Sequence, residues 1–411
     1  MKCRFCNNNL GFVFIDLYNS PPSNSFLTKE QLSDEEKYFP LKIFVCENCF
    51  LVQAGEYKKA NEIFDKDYIY FSSYSKSWLK HCEDYAEKII SRFGINNESL
   101  VMEIASNDGY LLQFFNNKNI PVLGIEPTAG TAKVAVTKGI NTIVEFFSES
   151  FAKRLITQNS KADLLIGNNV LAHVPDINDF VKGLKIALKQ DGVITMEFPH
   201  LQKLVEENQF DTIYHEHFSY LSLTTVDNIF DVHGLSIFDV DELPTHGGSL
   251  RIYAQHKENN NLRPGENNVQ NLKEKEAAAG MKEINYYKGF QEKANKIKYD
   301  LLEFLIAQKK KGKKIAAYGA AAKGNTMLNY SGIRSDLINF VVDASPYKQN
   351  KFLPGSHIPV MSEAELKEFR PDFILILPWN IRDEIIDQLH YAKEWKARFV
   401  TAIPELKIIQ S

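Results

Sequence analysis

Residues 212–222 read TIYHEHFSYLS and place His215, Glu216 and His217 side by side between two tyrosines. Two histidines with an acid between them could bind a metal ion, act as general acid and base, or satisfy nearby backbone groups. If the stretch is extended, His215 and His217 share one face and Glu216 lies on the other, so the three cannot chelate one ion. Proton transfer is therefore favoured over metal binding, with a structural role as the remaining alternative.

Four of the five cysteines form two pairs of one spacing, Cys3-x-x-Cys6 and Cys46-x-x-Cys49. In a reducing compartment, two such pairs are typical of a four-thiolate zinc site, and a thiol–disulfide motif is the weaker alternative. Four thiolates leave no ligand position open for catalysis. We therefore predict a structural zinc that replaces a core which about 60 residues can barely build. Cys82 is expected to lie on a helix face.

The segment SLVMEIASNDGYLLQFF (99–115) predicts a buried strand, a tight turn and a helix, and PVLGIEP (121–127) predicts a second strand that ends in Glu126. A nucleotide-like cofactor needs such a turn for close backbone approach, and an acid at the next strand tip to accept hydrogen bonds from ribose hydroxyls. The segments ADLLIGNNVLAHVPD (162–176) and DGVITMEFPH (191–200) predict further strands that end in polar residues. Open α/β sheets bind their ligands at that edge.

The turn carries E-x-A-x-N-x-G, opened by Glu103, in place of the G-x-G-x-x-G pattern of a dinucleotide fold. A carboxylate at the strand end would repel a pyrophosphate and attract an ammonium or a sulfonium, which favours S-adenosylmethionine as the cofactor. The candidate cofactor-binding residues are Glu103, Ala105, Asn107, Gly109, Tyr110, Glu126, Pro127, Asn168, Asn169 and His173.

Composition and charge exclude several classes of partner. The 411 residues are 44% hydrophobic and 24% charged, which is typical of a globular protein with two or three domains. The net charge of −4 argues against a surface for nucleic acid or for an anionic membrane, since both require a basic excess. No apolar run approaches the about 18 residues of a membrane span, and the first residues lack the apolar core of a signal peptide, so a cytoplasmic location is expected.

A second strand, turn and helix are predicted over KIAAYGAAAKGNTMLNY (314–330), with Asp343 after the following strand. This pattern is similar to a dinucleotide fingerprint and supports an alternative, an NAD-dependent dehydrogenase or epimerase of nucleotide sugars. The turn, however, keeps only Gly319 and Gly324 and inserts Lys323, a cation that suits a diphosphate. A non-catalytic nucleotide-sugar-binding protein is the third possibility, and the joint presence of Glu103, Glu126 and His217 favours an enzyme over it.

The motifs VMEIASNDGYLL, GIEP, NNVLAHVPD, MEFPHL, YHEHFSYLS, THGGSLRIY, YGAAAKGNTMLNY and PDFILILPWN together resemble those of the S-adenosylmethionine-dependent sugar C-methyltransferases. These enzymes branch nucleotide-linked 4-keto-6-deoxysugars at carbon 3 or carbon 5. The resemblance covers nearly the whole chain and implies an α/β protein of three parts. These are a small zinc-binding domain (1–70), a Rossmann-like S-adenosylmethionine domain (71–255), and a helical linker with a second Rossmann-like domain that binds the nucleotide sugar (256–411).

The resemblance also assigns roles to residues of the opening cluster. It makes His217 the base that removes a proton beside the ketone, with Tyr214 and Glu216 as neighbouring polar groups. A donor must also stabilise the developing enolate, and His215, Tyr214, Tyr70 and Tyr74 remain open for that role. Candidate contacts to a dTDP-, GDP- or CDP-linked 4-keto-deoxysugar are His246, Lys323, Asn325 and Trp379, although packing is favoured for Trp379.

Overall fold

Three β-sheets organise the chain in the computed structural model, which describes residues 1–57, 71–158 and 161–410. Four hydrophobic clusters fill the spaces between the sheets and their helices, and one of them contains residues from both the first and the third sheet. None of the described helices has the length and apolar character needed to cross a membrane.

The first sheet is small and antiparallel. Its strands β1 (Phe12–Ser20), β2 (Phe39–Val45) and β3 (Val52–Ala54) come from the N-terminal region. Its fourth strand, Ser219–Tyr220, comes from the middle of the chain and pairs with β3, so that Val52 lies opposite Tyr220. Only Phe218 separates the Y-H-E-H stretch from this fourth strand, so the pairing with β3 attaches the N-terminal module beside the candidate base.

The second sheet has seven strands in the order β10-β11-β8-β7-β4-β5-β6. Its parallel part consists of β4 (Val101–Ile104), β5 (Val122–Ile125), β6 (Thr142–Ile143), β7 (Ala162–Asn168) and β8 (Leu188–Pro199). After β9 (Ser219–Tyr220), the strands β10 (Leu235–Leu243) and β11 (Ser249–His256) complete it, and β11 is antiparallel to both of its neighbours. The strand order reverses between β4 and β7, so the carboxyl ends of these two strands border a crevice suited to a ligand.

Helices cover both faces of this sheet. They are α1 (Lys76–Phe93), α2 (Leu112–Asn116), α3 (Ala129–Thr137), α4 (Glu149–Gln158), α5 (Ile177–Ala187), α6 (Leu201–Glu206) and α7 (Leu223–Val232). The side chain of Ser75 accepts from the backbone N–H of Trp78 and caps α1, which contains the fully buried Cys82. Cys82 therefore lies on the buried face of a helix.

Three helices lead from the second sheet to the third: α8 (Asn267–Ala278), α9 (Ile284–Tyr287) and α10 (Phe290–Lys310). The first of them belongs to the core of the second sheet, because Glu276 accepts hydrogen bonds from the backbone N–H groups of Leu223 and Thr224 and caps α7. The third packs on β1, where the rings of Phe14 and Phe290 stack with centroids 4.5 Å apart.

The third sheet has the order β14-β13-β12-β15-β16-β17 and is parallel except for its last strand. Its strands are β12 (Ile315–Tyr318), β13 (Val341–Val342), β14 (Val360–Met361), β15 (Phe373–Ile376), β16 (Arg398–Thr401) and β17 (Lys407–Gln410). Its helices are α11 (Ala322–Ser331), α12 (Glu363–Phe369) and α13 (Arg382–Gln388). The predicted fold class, with two Rossmann-like sheets behind a small N-terminal domain, is confirmed.

Candidate active site

The cofactor turn after β4 places every second residue in the left-handed region. The φ angles are 57° at Ala105, 49° at Asn107 and 74° at Gly109. Glycine adopts this region without cost and asparagine tolerates it, whereas alanine is strained there. The E-x-A-x-N-x-G pattern therefore matches the alternating backbone conformation of the turn. The turn presents its peptide groups as a glycine-rich loop would, although two of its three left-handed residues carry side chains.

We expect Ala105→Gly to raise the free energy of unfolding by up to about 1 kcal/mol, because glycine removes the left-handed strain and loses part of that gain through its greater unfolded-state freedom. Urea unfolding measures the change. Ala277→Gly, at an exposed position of α8, is the matched control and should cost about 1 kcal/mol. Equal destabilisation by both substitutions would contradict the strain at Ala105.

Glu126 stands at the tip of β5 and anchors the same turn. Its two carboxylate oxygens accept from the backbone N–H groups of Asn107 at 2.9 Å and of Thr128, the residue after Pro127, at 2.8 Å. Burial raises the pKa of Glu126, while the bonds from Thr128 and Asn107 oppose that rise. Each carboxylate oxygen has a second lone pair, so the group retains the capacity to accept hydrogen bonds from a ribose.

Glu103 lies on β4, just before this turn, and is fully buried. Burial raises its pKa well above the usual range, and the hydroxyl of Tyr110 opposes this rise. A cation bound at this strand tip would favour the carboxylate form of Glu103. The environment therefore fits a ligand that carries a positive charge, as S-adenosylmethionine does.

The end of β7 extends the crevice toward the Y-H-E-H stretch. Asn168 pairs in register with Glu197 of β8, and Asn169, at a φ of 54°, donates its backbone N–H to the Glu197 carbonyl. The following turn, Leu171–His173, brings the ring of His173 to 4.7 Å from the ring of His217. Burial lowers the pKa of His173 to about 4, so this imidazole is neutral at pH 7. The cofactor crevice and the candidate base are therefore adjacent.

The Y-H-E-H stretch forms a turn, closed by a hydrogen bond from the His217 N–H to the Tyr214 carbonyl at 3.0 Å, so the extended conformation considered above does not occur. Its side chains diverge. The Nε2 of His215 lies 3.3 Å from the Phe39 carbonyl of β2, and Glu216 accepts from the side chain of Asn24 at 2.6 Å. These two side chains face the N-terminal module, whereas the ring of His217 lies against His173 at the end of the crevice.

His217 is held in one tautomer by the backbone. Its Nδ1 donates to the carbonyl of Thr212 at 2.8 Å, which leaves Nε2 as the nitrogen that carries the lone pair. Burial lowers the pKa of His217 well below its usual value, His173 lowers it further, and the Thr212 carbonyl opposes this decrease. The ring of Tyr214 lies 4.0 Å away, centroid to centroid. The arrangement provides a neutral imidazole whose Nε2 can accept a proton.

A buried charge cluster that sequence reasoning missed lies beside this site. Glu197 of β8 pairs with Arg251 of β11, and it also contacts the His81 Nε2 and the Thr245 hydroxyl at 2.9 and 2.8 Å. Burial would raise the pKa of Glu197, yet Arg251 and His81 lower it to about 2, so the carboxylate is charged at neutral pH. The sequence signal for this cluster was the presence of Glu197 and Arg251, two opposite charges, within otherwise apolar strands. Such charges are buried only when they are paired.

The third sheet contributes the opposite wall. At the carboxyl end of β12, Lys323 donates to Asn380 at 2.7 Å and its ammonium lies 4.8 Å from the Trp379 ring centroid. Trp379 packs against Gly247, where a Cβ atom would lie 2.3 Å from the indole, and its Nε1 donates to Asp211 at 2.8 Å. The structure therefore places Trp379 in a packed, hydrogen-bonded position between the domains.

The remaining predicted site residues contact different parts of the protein. His246 has a φ of 56°, and its ring lies 5.2 Å from that of Trp78 on α1. Asn325 is buried and points toward the N-terminal loop, 3.5 Å from the Ser23 carbonyl. Tyr74 is 54% exposed, and its ring packs on the ring of Tyr347 rather than on that of His217. Tyr70 lies outside the described residues.

The four paired cysteines come together in the N-terminal module. Their sulfur atoms all lie within 4.8 Å of one another, with Cys3 and Cys49 3.6 Å apart and Cys6 and Cys46 3.5 Å apart. A tetrahedral zinc with bonds of about 2.3 Å places its sulfur ligands about 3.8 Å apart, so the donor set and its spacing fit the ion. The predicted zinc site is confirmed, and it is the only such cluster of metal-binding side chains among the residues described.

Comparison with known proteins covers the whole chain. Three family models match it: a C-methyltransferase C-terminal domain at residues 244–404, a methyltransferase domain at 78–240, and a zinc binding domain at 3–64. The C-methyltransferase NovU of Streptomyces niveus is 32% identical over 411 residues, which are 100% of this chain and 97% of that protein.

Solved structures give weaker matches to part of the chain. A methyltransferase dependent on S-adenosylmethionine from Anabaena variabilis aligns with 44% of this chain and 86% of its own, at 14% identity and a TM-score of 0.36. Magnesium protoporphyrin IX methyltransferase of Synechocystis with bound S-adenosylmethionine aligns with 43% of this chain and 78% of its own, at 14% identity and a TM-score of 0.33.

Proposed function

We propose, since this chain belongs to the family of S-adenosylmethionine-dependent C-methyltransferases, that its substrate is a nucleotide-linked 4-keto-deoxysugar, methylated at carbon 3 or carbon 5. The observation that carries the proposal is the orientation of His217. A carbon beside a ketone attacks a methyl donor only after it loses a proton, and the Nε2 of this neutral imidazole is a proton acceptor beside the cofactor crevice. Methylation of oxygen or nitrogen would not require a base at a carbon acid.

The cofactor is held by residues of the second sheet in this proposal. Glu126 would bind the ribose, the turn of Asn107 and Gly109 would approach the donor with its backbone, and Glu103 would balance the positive charge of the bound molecule. When bound, S-adenosylmethionine supplies an electrophilic methyl group. The protein's own contribution is to generate the carbon nucleophile and to exclude water from it.

Proton removal is assigned to His217 and stabilisation of the negative charge to Tyr214. As Nε2 accepts the proton, the Thr212 carbonyl continues to accept from Nδ1–H and stabilises the imidazolium that forms. Each pKa unit by which the carbon is a weaker acid than imidazolium costs about 1.4 kcal/mol, so a donor must face the keto oxygen. Among the described candidates, Tyr214 is the one whose ring lies against His217, whereas His215 contacts Phe39.

The nucleotide-sugar contacts are assigned to the wall formed by the third sheet. Lys323 is a half-buried cation at the start of α11, where a diphosphate would gain both a charge partner and a helix N-terminus. His246 lies between Trp78 and this wall and is a candidate for a sugar hydroxyl. Burial lowers the pKa of His246 to about 4, so it would bind the sugar as a neutral imidazole.

The alternative of an NAD-dependent enzyme is not favoured. In a dinucleotide fold, the acid after the second strand binds ribose, but Asp343 accepts from the backbone N–H groups of Ala320 at 2.8 Å and Ser345 at 2.9 Å. The ammonium of Lys348 lies 3.5 Å from the same carboxylate and donates to the Ala320 carbonyl. Two backbone donors would leave Asp343 able to accept from a ribose, as they leave Glu126, but the Lys348 ammonium competes for its remaining lone pairs.

The test is to incubate the purified protein with S-adenosylmethionine and, separately, with dTDP-, GDP- and CDP-linked 4-keto-6-deoxyglucose. We expect one of the three to gain a methyl group on carbon, identified by mass and by NMR of the product. Calorimetric titration of S-adenosylmethionine and of NAD provides a second measurement, in which only the former should bind. Binding of NAD alone, with no methyl transfer to any of the three sugars, would make His217 the base of a dehydrogenase or epimerase instead.

A further inference from the structure

The turn that fixes the tautomer of His217 is enclosed by the C-terminal domain. We call residues 208–213 the base turn, because they include Thr212, whose carbonyl accepts from the His217 Nδ1. Its central part, Phe210–Thr212, is buried and packs directly against α11. In sequence the base turn therefore belongs to the domain of the second sheet, but it packs against the domain of the third sheet.

Two hydrogen bonds from the C-terminal domain flank Thr212 along the chain. The Nε1 of Trp379 donates to the Asp211 carboxylate at 2.8 Å, one residue before Thr212. The hydroxyl of Thr326 donates to the Ile213 carbonyl at 2.9 Å, one residue after it. The C-terminal domain therefore fixes the residues on both sides of Thr212, while the Thr212 carbonyl faces the imidazole of His217.

Further contacts extend this docking over the rest of the base turn. The rings of Phe210 and Tyr330 meet edge to face with centroids 5.5 Å apart, and the side chain of Asn208 donates to the Pro404 carbonyl at 3.2 Å. The Asp211 carboxylate is fully buried, so the Trp379 N–H is a partner that it cannot replace with water. The contacts therefore constrain the base turn along its whole length.

We propose that Trp379 and Thr326 are positioning residues, which act through Asp211 and Ile213 to hold the Thr212 carbonyl and so keep His217 in the Nδ1–H tautomer. This inference rests on the proposed role of His217 as the base. It makes docking of the C-terminal domain a condition for His217 to act as a base, because the Nε2 lone pair exists only in that tautomer. A substrate bound to the C-terminal domain would then meet a base that the same domain has oriented.

The experiment uses the full chain with Trp379→Phe and, independently, Thr326→Val, each of which removes one donor and preserves most of the packing. The ¹⁵N NMR signals of the histidine side chains report the tautomer, and His217→Gln identifies the signals of His217. We expect the unsubstituted chain to show a protonated Nδ1 and an unprotonated Nε2, and each variant to show exchange between both tautomers. We also expect kcat to fall about ten- to a hundredfold with KM little changed.

Trp395→Phe is the matched control, because its Nε1 donates to the Pro371 carbonyl at 3.0 Å in the same domain but does not contact the base turn. It should leave both the tautomer and kcat unchanged. An unaltered His217 tautomer in both Trp379→Phe and Thr326→Val would overturn the proposal. The NMR measurement needs no substrate, so a chain that changes tautomer yet methylates no 4-keto-sugar would count against the proposed function alone.

Discussion

His217→Ala should reduce the methyl-transfer rate by about 10²- to 10⁴-fold, the range typical for loss of a general base. The dissociation constant of S-adenosylmethionine should stay unchanged, because the cofactor crevice is built from the turn after β4 and from Glu126. Rapid-mixing assays with radiolabelled donor measure the first quantity and calorimetry the second. Exchange of the substrate's carbon-bound proton with deuterated water, followed by NMR without donor, isolates the proton-removal step.

The control for this substitution is His390→Ala, which removes an exposed histidine of the C-terminal domain. It should leave the methyl-transfer rate, the proton exchange and the cofactor affinity as they are in the unsubstituted chain. If His217→Ala instead weakened cofactor binding as much as it slowed methyl transfer, the residue would have a structural role, and the proposed base would have to be sought elsewhere.

The pH dependence of proton exchange follows from the same environment. Burial and His173 lower the pKa of His217 well below its usual value, so the imidazole is neutral and able to accept a proton throughout the physiological range. Exchange should therefore stay constant as the pH falls from 8 through the ordinary histidine range, and decline only under more acidic conditions. A decline centred near pH 6.5, the value of an unperturbed histidine, would show that the imidazole is not desolvated in solution.

Cys46→Ser should abolish zinc binding and unfold the N-terminal module. The four sulfur atoms lie within 4.8 Å of one another, and a structural zinc contributes on the order of 10 kcal/mol to the folding of a small domain. Metal analysis should find one zinc per unsubstituted chain and none in the variant. Limited proteolysis should then cleave within residues 1–57, which we expect to resist cleavage when zinc is bound.

Cys82→Ser provides the matched control, since Cys82 is a buried cysteine of α1 outside the zinc cluster. Its zinc content should remain one per chain, although the buried hydroxyl costs about 1–3 kcal/mol of stability. A Cys46→Ser protein that lacks zinc and yet resists proteolysis as the unsubstituted chain does would contradict the structural role of the metal.

Loss of the zinc should also affect catalysis, through two contacts of the N-terminal module. Strand β3 pairs with β9 directly after the Y-H-E-H turn, and Asn24 donates to Glu216 within it. When the module unfolds, both contacts are lost and the turn that carries His217 is no longer supported from that side. We therefore expect the zinc-free chain to bind S-adenosylmethionine and to transfer methyl groups slowly.

Several features of this protein are local and were determined by the sequence alone. The two Cys-x-x-Cys pairs predicted the zinc cluster, because four thiolates at those spacings have few other uses in a reducing compartment. The segment that contains E-x-A-x-N-x-G predicted a tight turn, the segment PVLGIEP predicted an acid at the next strand tip, and the structure contains both. Such features depend on the conformations of adjacent residues, which sterics limit to a few possibilities.

The direction of each side chain in the Y-H-E-H stretch was decided by the tertiary structure. The sequence was compatible with an extended segment, and the chain forms a turn whose side chains contact β2, the N-terminal loop and Thr212. The base-turn contacts from Trp379 and Thr326, and the cluster of Glu197, Arg251 and His81, join residues from 54 to 170 positions apart. Spacing in the sequence does not encode such contacts, because which groups meet depends on how the three sheets pack against one another.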